Sequence, residues 1–176
     1  MSVNGKDKMI EILDTTGQEE FESLRKLSYH NVDIFLVCFS VASLTTFENV
    51  KRKWAPEVSN FSPTIPIILV GTEIELRAEK GDAISFEHGE NLAKEISAIC
   101  YLECSAKTQE GLNEVFNQVA LRIPSRTQSP SKRLLQSFSS FRKYLQKEAS
   151  NIDLGFFFFF LFFFFIKFFS SKILIH

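Results

Sequence analysis

The chain has 176 residues, room for one globular domain with a real core, and its 20 Lys or Arg against 21 Asp or Glu leave a formal net charge of -1. That figure hides a division: residues 1–121 carry 11 basic and 19 acidic side chains, whereas residues 122–176 carry 9 and 2. An acidic body argues against a nucleic-acid-binding domain and leaves the basic tail suited to an anionic surface.

In chain order, Met1 to Lys8 is short and polar, unlike a secretory leader, and Asn4-Gly5 reads as the two-residue turn of a β-hairpin. Met9 to Asp14 is a predicted strand ending in an acidic loop, and Glu19 to Tyr29 a helix or helical loop. Val32 to Ser40 is almost wholly apolar, as a parallel strand buried on both faces should be. Thr46 to Trp54 suits a helix that Pro56 ends or kinks, and Ile65 to Val70 is the next buried strand, Pro66 being tolerable near its start. Ser85 is placed to cap a helix from Phe86 to Ser97 that packs through Phe86, Leu92 and Ile96. Tyr101 to Cys104 is a short strand and Leu112 to Arg122 the closing helix. Alternating strands and helices imply right-handed crossovers and an open, mostly parallel α/β sheet flanked by helices.

In such sheets ligands bind beyond the carboxyl ends of the strands, so Asp14 to Gln18, Gly71 to Glu75 and Ser105 to Lys107 are expected to share one crevice. Cys38, Cys100 and Cys104 sit in or beside apolar runs and read as reduced core residues. His30, His88 and His176 show no metal-ligand grouping and read as surface positions.

Four segments in this order and spacing carry a resemblance: Asp14-Thr-Thr-Gly-Gln, Leu24-Arg-Lys-Leu-Ser-Tyr29, Lys53-Trp-Ala-Pro-Glu-Val58 and Glu103-Cys-Ser-Ala-Lys107. Residues 1–122 resemble the Ras-like GTPases, and within them the Rho/Rac family. The resemblance implies a P-loop NTPase-like sheet from which the first strand, phosphate loop, first helix, first switch and most of the second strand are missing. It also implies a signalling switch that binds GTP, GDP and magnesium. Asp14 would hold magnesium through water, the Gly17 N–H would sense the terminal phosphate, and Gln18 would orient the attacking water. Thr72 and Glu75 would face the guanine base, while Ser105, Ala106 and Lys107 would touch its oxygen, the base or the ribose.

Departures from the family pattern matter as much. The seven glycines, at 5, 17, 71, 81, 89, 111 and 155, never give Gly-x-x-x-x-Gly-Lys-Ser/Thr, whose backbone would cradle the phosphates. Thr72-Glu73-Ile74-Glu75 stands where the family has Thr/Asn-Lys-x-Asp: Glu75 keeps the carboxylate, but Glu73 replaces a cation and sets an anion near an anionic ligand. Each such lesion costs about 1–3 kcal/mol, together several powers of ten in affinity. Positioning and charge stabilisation supply nearly all the catalysis in phosphoryl transfer, so Gln18 alone is expected to hydrolyse GTP no faster than background. Thr16 replaces the usual Ala, Leu13 the usual Trp before the switch-loop Asp, and Leu76 to Ser85 is too short for the Rho-type insert helix. Exchange factors, GTPase-activating proteins or effectors would meet Glu19 to Tyr29, through Phe21, Leu24 and Leu27. Without its first strand the sheet is expected to leave two central edges bare or to force them together.

Beyond the body, residues 123–150 read as a basic, Ser-rich linker, in which Leu134, Phe138, Phe141 and Leu145 share one helical face flanked by Arg133, Arg142, Lys143 and Lys147. Such a face, over residues 132–147, suits an anionic membrane, with a docked or disordered tail as the alternative. Residues 151–176 form a hydrophobic, low-complexity tail: Phe156 to Ile166 holds nine Phe, and the uninterrupted run from Leu154 spans 13 positions, short of the roughly 20 that cross a bilayer. The run reads as the product of a disrupted gene model, or as a tail anchor that tolerates Lys167 and Lys172. No C-terminal prenylation Cys is present. The expectation is therefore a cytoplasmic, GTPase-like chain with impaired nucleotide binding, membrane association resting on the tail. The alternative is a noncatalytic protein-interaction or membrane-associated remnant.

Overall fold

Why β-branched and aromatic residues dominate the middle of the chain is clear from where they pack. The computed structural model describes residues 2–3, 6–8, 10–15, 17–79, 81–123 and 171–175. Strands β1 (Ser2–Val3) and β2 (Lys6–Asp7) pair antiparallel, with Val3 opposite Lys6, so a hairpin does flank Asn4-Gly5. The other strands are β3 (Ile10–Asp14), β4 (Ile34–Ser40), β5 (Ile67–Thr72), β6 (Cys100–Glu103) and β7 (Ser171–Ile175). These five form one parallel sheet in the order β3-β7-β4-β5-β6.

Alternation along β4 feeds two cores. Phe35, Val37 and Phe39 pack with Leu69 and Tyr101 on one face, while Ile34 and Leu36 pack with Ile68 and Val70 on the other. The first core takes Val50, Val58, Leu92 and Ala93 from the helices above it; the second takes Val115, Val119 and Ile123. Cys104 is buried, Cys38 and Cys100 are partly so, and all are free thiols; burial, helped by Cys104 and Asp14, pushes the Cys38 thiol up to about 12.

Helices α1 (Glu22–Ser28), α2 (Leu44–Asn49), α3 (Ala55–Phe61), α4 (Phe86–Glu95) and α5 (Leu112–Arg122) complete the layers. The Ser85 hydroxyl accepts the His88 N–H at 3.2 Å, the expected N-cap of α4. A 3-10 turn at Glu19–Phe21 leads into α1. Pro56 does not end its helix: α2, a π-helical turn at Val50–Trp54 and α3 run on continuously to Phe61. The physical reason is that Pro lacks an N–H and crowds the preceding turn, which widens, Ala55 N–H bonding back to the Val50 carbonyl.

Two packing expectations are corrected. Phe86 is 48% exposed, because it starts α4 and only tilts its ring against Tyr101, leaving Leu92 and Ala93 to fill the core. Leu27 is 7% exposed, turned inward on α1, and so is no contact for a partner. His30 is half-buried against Phe61.

The sheet centre brings the largest correction. Its two central edges are neither bare nor paired with each other, since β7 lies between β3 and β4, with Ile10 to Asp14 opposite Ser171 to Ile175 and Ile34 to Leu36 opposite Ile173 to Ile175. A segment read from sequence as hydrophobic tail thus stands at the centre of the sheet. The expected amphipathic segment at 132–147, the Phe-rich run at 156–166 and Thr16 lie outside the described residues. Among the described residues no helix is long and apolar enough to cross a membrane.

Candidate functional site

Asp14 closes β3 with its side chain exposed, and Gly17 and Gln18 follow it, also exposed. Two cations behind this loop hold its main chain. Arg25 Nη1 donates to the Gln18 carbonyl at 3.0 Å, and Lys53 Nζ donates to the Gly17 carbonyl at 3.2 Å. Both cations lie against the Trp54 ring, the Arg25 guanidinium 5.1 Å and the Lys53 ammonium 4.5 Å from its centroid. A Cβ on Gly17 would stand 3.3 Å from that ring, so the loop is already in close contact with it. Arg25 is in turn fixed by Glu57 of α3 through two bonds of 2.9 Å, and the Tyr29 hydroxyl donates to the same carboxylate. This bidentate pair raises the Arg25 pKa against the opposing effect of burial.

A second group forms where β5 and β6 end. Thr72 donates its hydroxyl to the Phe39 carbonyl at 3.1 Å. Glu73 has a left-handed backbone (φ 60°), and its exposed carboxylate accepts the Ser40 hydroxyl at the end of β4. Glu75 lies in the following 3-10 turn, Ile74–Ala78, and its Oε2 is buried without a hydrogen-bond partner. The Ser105 hydroxyl first, then the Glu75 backbone N–H and the Lys107 charge, hold the Glu75 carboxyl below the ordinary carboxylate range. Ser105 is fully buried: its Oγ accepts the Thr108 N–H at 2.9 Å and its N–H donates to the Glu110 carbonyl at 2.9 Å. Ala106 and Lys107 project from that turn, exposed.

These loops rest on a frame that sequence reasoning passed over. Arg77 Nη1 meets Glu103 Oε2 at 2.8 Å, Arg77 Nη2 reaches the Ile84 carbonyl at 3.0 Å, and the Tyr101 hydroxyl donates to Glu103 at 2.7 Å. Tyr101 lies so close to Gly89 that a Cβ there would stand 2.2 Å from its ring. Gly111, with φ 71°, would set a Cβ 2.1 Å from the Glu103 carbonyl oxygen. The Cys104 N–H donates to the Gly71 carbonyl at 2.8 Å, holding the β5 and β6 ends side by side.

The structure thus draws Thr72, Glu75, Ser105, Ala106 and Lys107 to one edge and holds the Gly17 and Gln18 carbonyls, just beyond Asp14, against Lys53 and Arg25. Through β7, Asp14 is level with Leu36, whereas Thr72 is level with Ser40, four residues or about 13 Å farther along the strands.

A family model described as the Ras family matches residues 1–125. The chain belongs to the Ras family. GTP, GDP and magnesium come to this Ras-family chain by that resemblance, and its residues fit the parts of such a ligand unequally. The unpartnered Glu75 oxygen is an acceptor for N–H donors such as those of a guanine base. The phosphate and magnesium half does not fit: the sequence holds no Gly-x-x-x-x-Gly-Lys-Ser/Thr, and among the described residues no group of three or more His, Cys, Asp or Glu side chains could hold a metal ion.

Glu75 and Ser105 were singled out by the family resemblance, and they lie close together at the ends of β5 and β6. The resemblance gave no sign of Arg25, Tyr29 and Glu57 acting together, though their two segments were both singled out, nor of Arg77 with Glu103.

Proposed function

We propose that this Ras-family protein is Rho/Rac-like, a signalling protein that retains recognition of the guanine base but has impaired or absent phosphate binding and GTP hydrolysis. The observation that carries the reading is the buried, unpartnered Glu75 oxygen beside Ser105 and Lys107. Glu75 accepts the base N–H donors, Thr72 shapes the loop before it, Ser105 and Ala106 present backbone, and Lys107 lies over base or ribose. Gln18 is the water-orienting residue of the family's reaction and Asp14 its magnesium-side carboxylate, but neither works without a phosphate-binding loop. The Rho/Rac affiliation is supported by Leu24 to Tyr29 and Lys53 to Val58, segments whose Arg25, Tyr29, Trp54 and Glu57 make one network.

That network also favours a second reading, a noncatalytic interaction protein. Arg25 and Lys53 fix the switch loop through its own carbonyls, so Glu19 to Tyr29 needs no nucleotide to keep its shape for an exchange factor, a GTPase-activating protein or an effector. Residues 132–147 would add contact with an anionic membrane, and the body would stay cytoplasmic. Phosphate release from GTP by the purified full chain, against a protein-free blank and Gln18→Leu, tests the reading. All three rates are expected to coincide; turnover above the blank that Gln18→Leu abolishes would overturn it.

A further inference from the structure

We infer that the gap between β3 and β4 is a strand-acceptor slot, and that the chain's own residues 171–175, inserted into it, hold β3 and the Asp14 loop in the sheet. β3 is bonded to β7 through five register pairs from Ile10–Ser171 to Asp14–Ile175, and β7 to β4 through three, so β3 reaches the rest of the sheet only by way of β7. Withdrawing β7 strips both neighbours of main-chain partners at once, the condition under which an edge seeks a new strand. Within the sheet, the register of Asp14 against Leu36 is likewise set through β7.

The ligand that fits the slot is a short parallel strand. Ser-Lys-Ile-Leu-Ile is such a strand, two of its five residues being β-branched Ile. The donor is this chain's own tail and not a second copy, because 47 residues separate Ile123 from Ser171. A strand covalently joined to its acceptor meets it as an intramolecular partner, at an effective concentration above that of a second chain in dilute solution. Release of residues 171–175 therefore disassembles the Asp14 side of the site and leaves β4, β5 and β6 together. The inference does not depend on nucleotide binding.

Hydrogen exchange on the full chain, without nucleotide, tests it. Amides of residues 10–14 and 171–175 are expected to exchange at least about 100-fold slower than an unstructured chain. Ile173→Pro, which removes a ladder donor, should abolish that protection at 10–14 and spare β4, β5 and β6. Unstructured rates at 10–14 in the native chain, or full protection there in Ile173→Pro, would overturn the inference. Should the variant unfold throughout, the register partners Ile12 and Ile173 decide: the full chain with Ile12→Cys and Ile173→Cys is joined by a short bismaleimide, with the wild-type chain as blank for its three cysteines. A cross-link within one chain is expected; a cross-link between chains, or none, refutes insertion of the chain's own tail.

Discussion

Replacing Arg25 by Ala separates a structural role from a surface one, because the side chains of Arg25 and Glu57 are 0% and 9% exposed. Arg25→Ala leaves the Glu57 carboxylate buried with the Tyr29 hydroxyl but without its cation, and also removes the donor to the Gln18 carbonyl. Breaking a buried pair from one side costs about 3–5 kcal/mol, a fifth or more of the roughly 5–15 kcal/mol that stabilises a typical domain. With a urea slope of about 2 kcal/mol per molar, the unfolding midpoint of the full chain, followed by circular dichroism, should fall by about 2 M. Arg25→Met with Glu57→Leu should recover much of that loss, since no charge is then left buried and unpaired. A shift under about 0.5 M for Arg25→Ala, or a double variant as unstable as the sum of the singles, would refute a buried, coupled pair.

Three further outcomes are expected. Gly111→Ala forces a positive φ on a residue with a Cβ and drives that Cβ to within 2.1 Å of the Glu103 carbonyl oxygen, so thermal denaturation should show a loss of about 1–3 kcal/mol or more. Gly89→Ala presses on the Tyr101 ring at 2.2 Å and should cost about 1–3 kcal/mol, a penalty that shrinks in a Tyr101→Leu background where the ring is gone. The Glu75 carboxyl is held below its ordinary value in the folded chain, so its contribution is present above the unfolded Glu value of about 4.3 and is lost as pH falls through the lowered folded value. Glu75→Gln should flatten that acid-side slope in urea midpoints measured across pH; an unchanged slope would assign it to other carboxylates.

Much of the body was legible because its signals are local. The apolar run around Ile34–Ser40, the Ser85 cap and the limits of Leu112–Arg122 follow from period, capping and composition. Of the two outcomes expected at Pro56, the helix end did not occur, and a π turn takes up the distortion. β7 was hidden for a different reason: its partner Ile10 lies at the other end of the chain from Ser171, and a run of Phe just before it made the whole segment look like tail. The short apolar run Ile173-Leu-Ile175, with its two β-branched residues, was the available signal. The resemblance pointed to Glu75 and to Ser105 to Lys107 as segments, whereas Arg25 with Glu57 and Arg77 with Glu103 exist only once helices and strands have packed.

Calorimetric titration of the full chain with guanosine and with GTP in magnesium decides whether the protein has a base pocket without a phosphate grip. Guanosine and GTP are expected to bind weakly and within about tenfold of each other, a difference of about 1.4 kcal/mol. Micromolar or tighter, magnesium-dependent GTP binding with guanosine orders of magnitude weaker would contradict it.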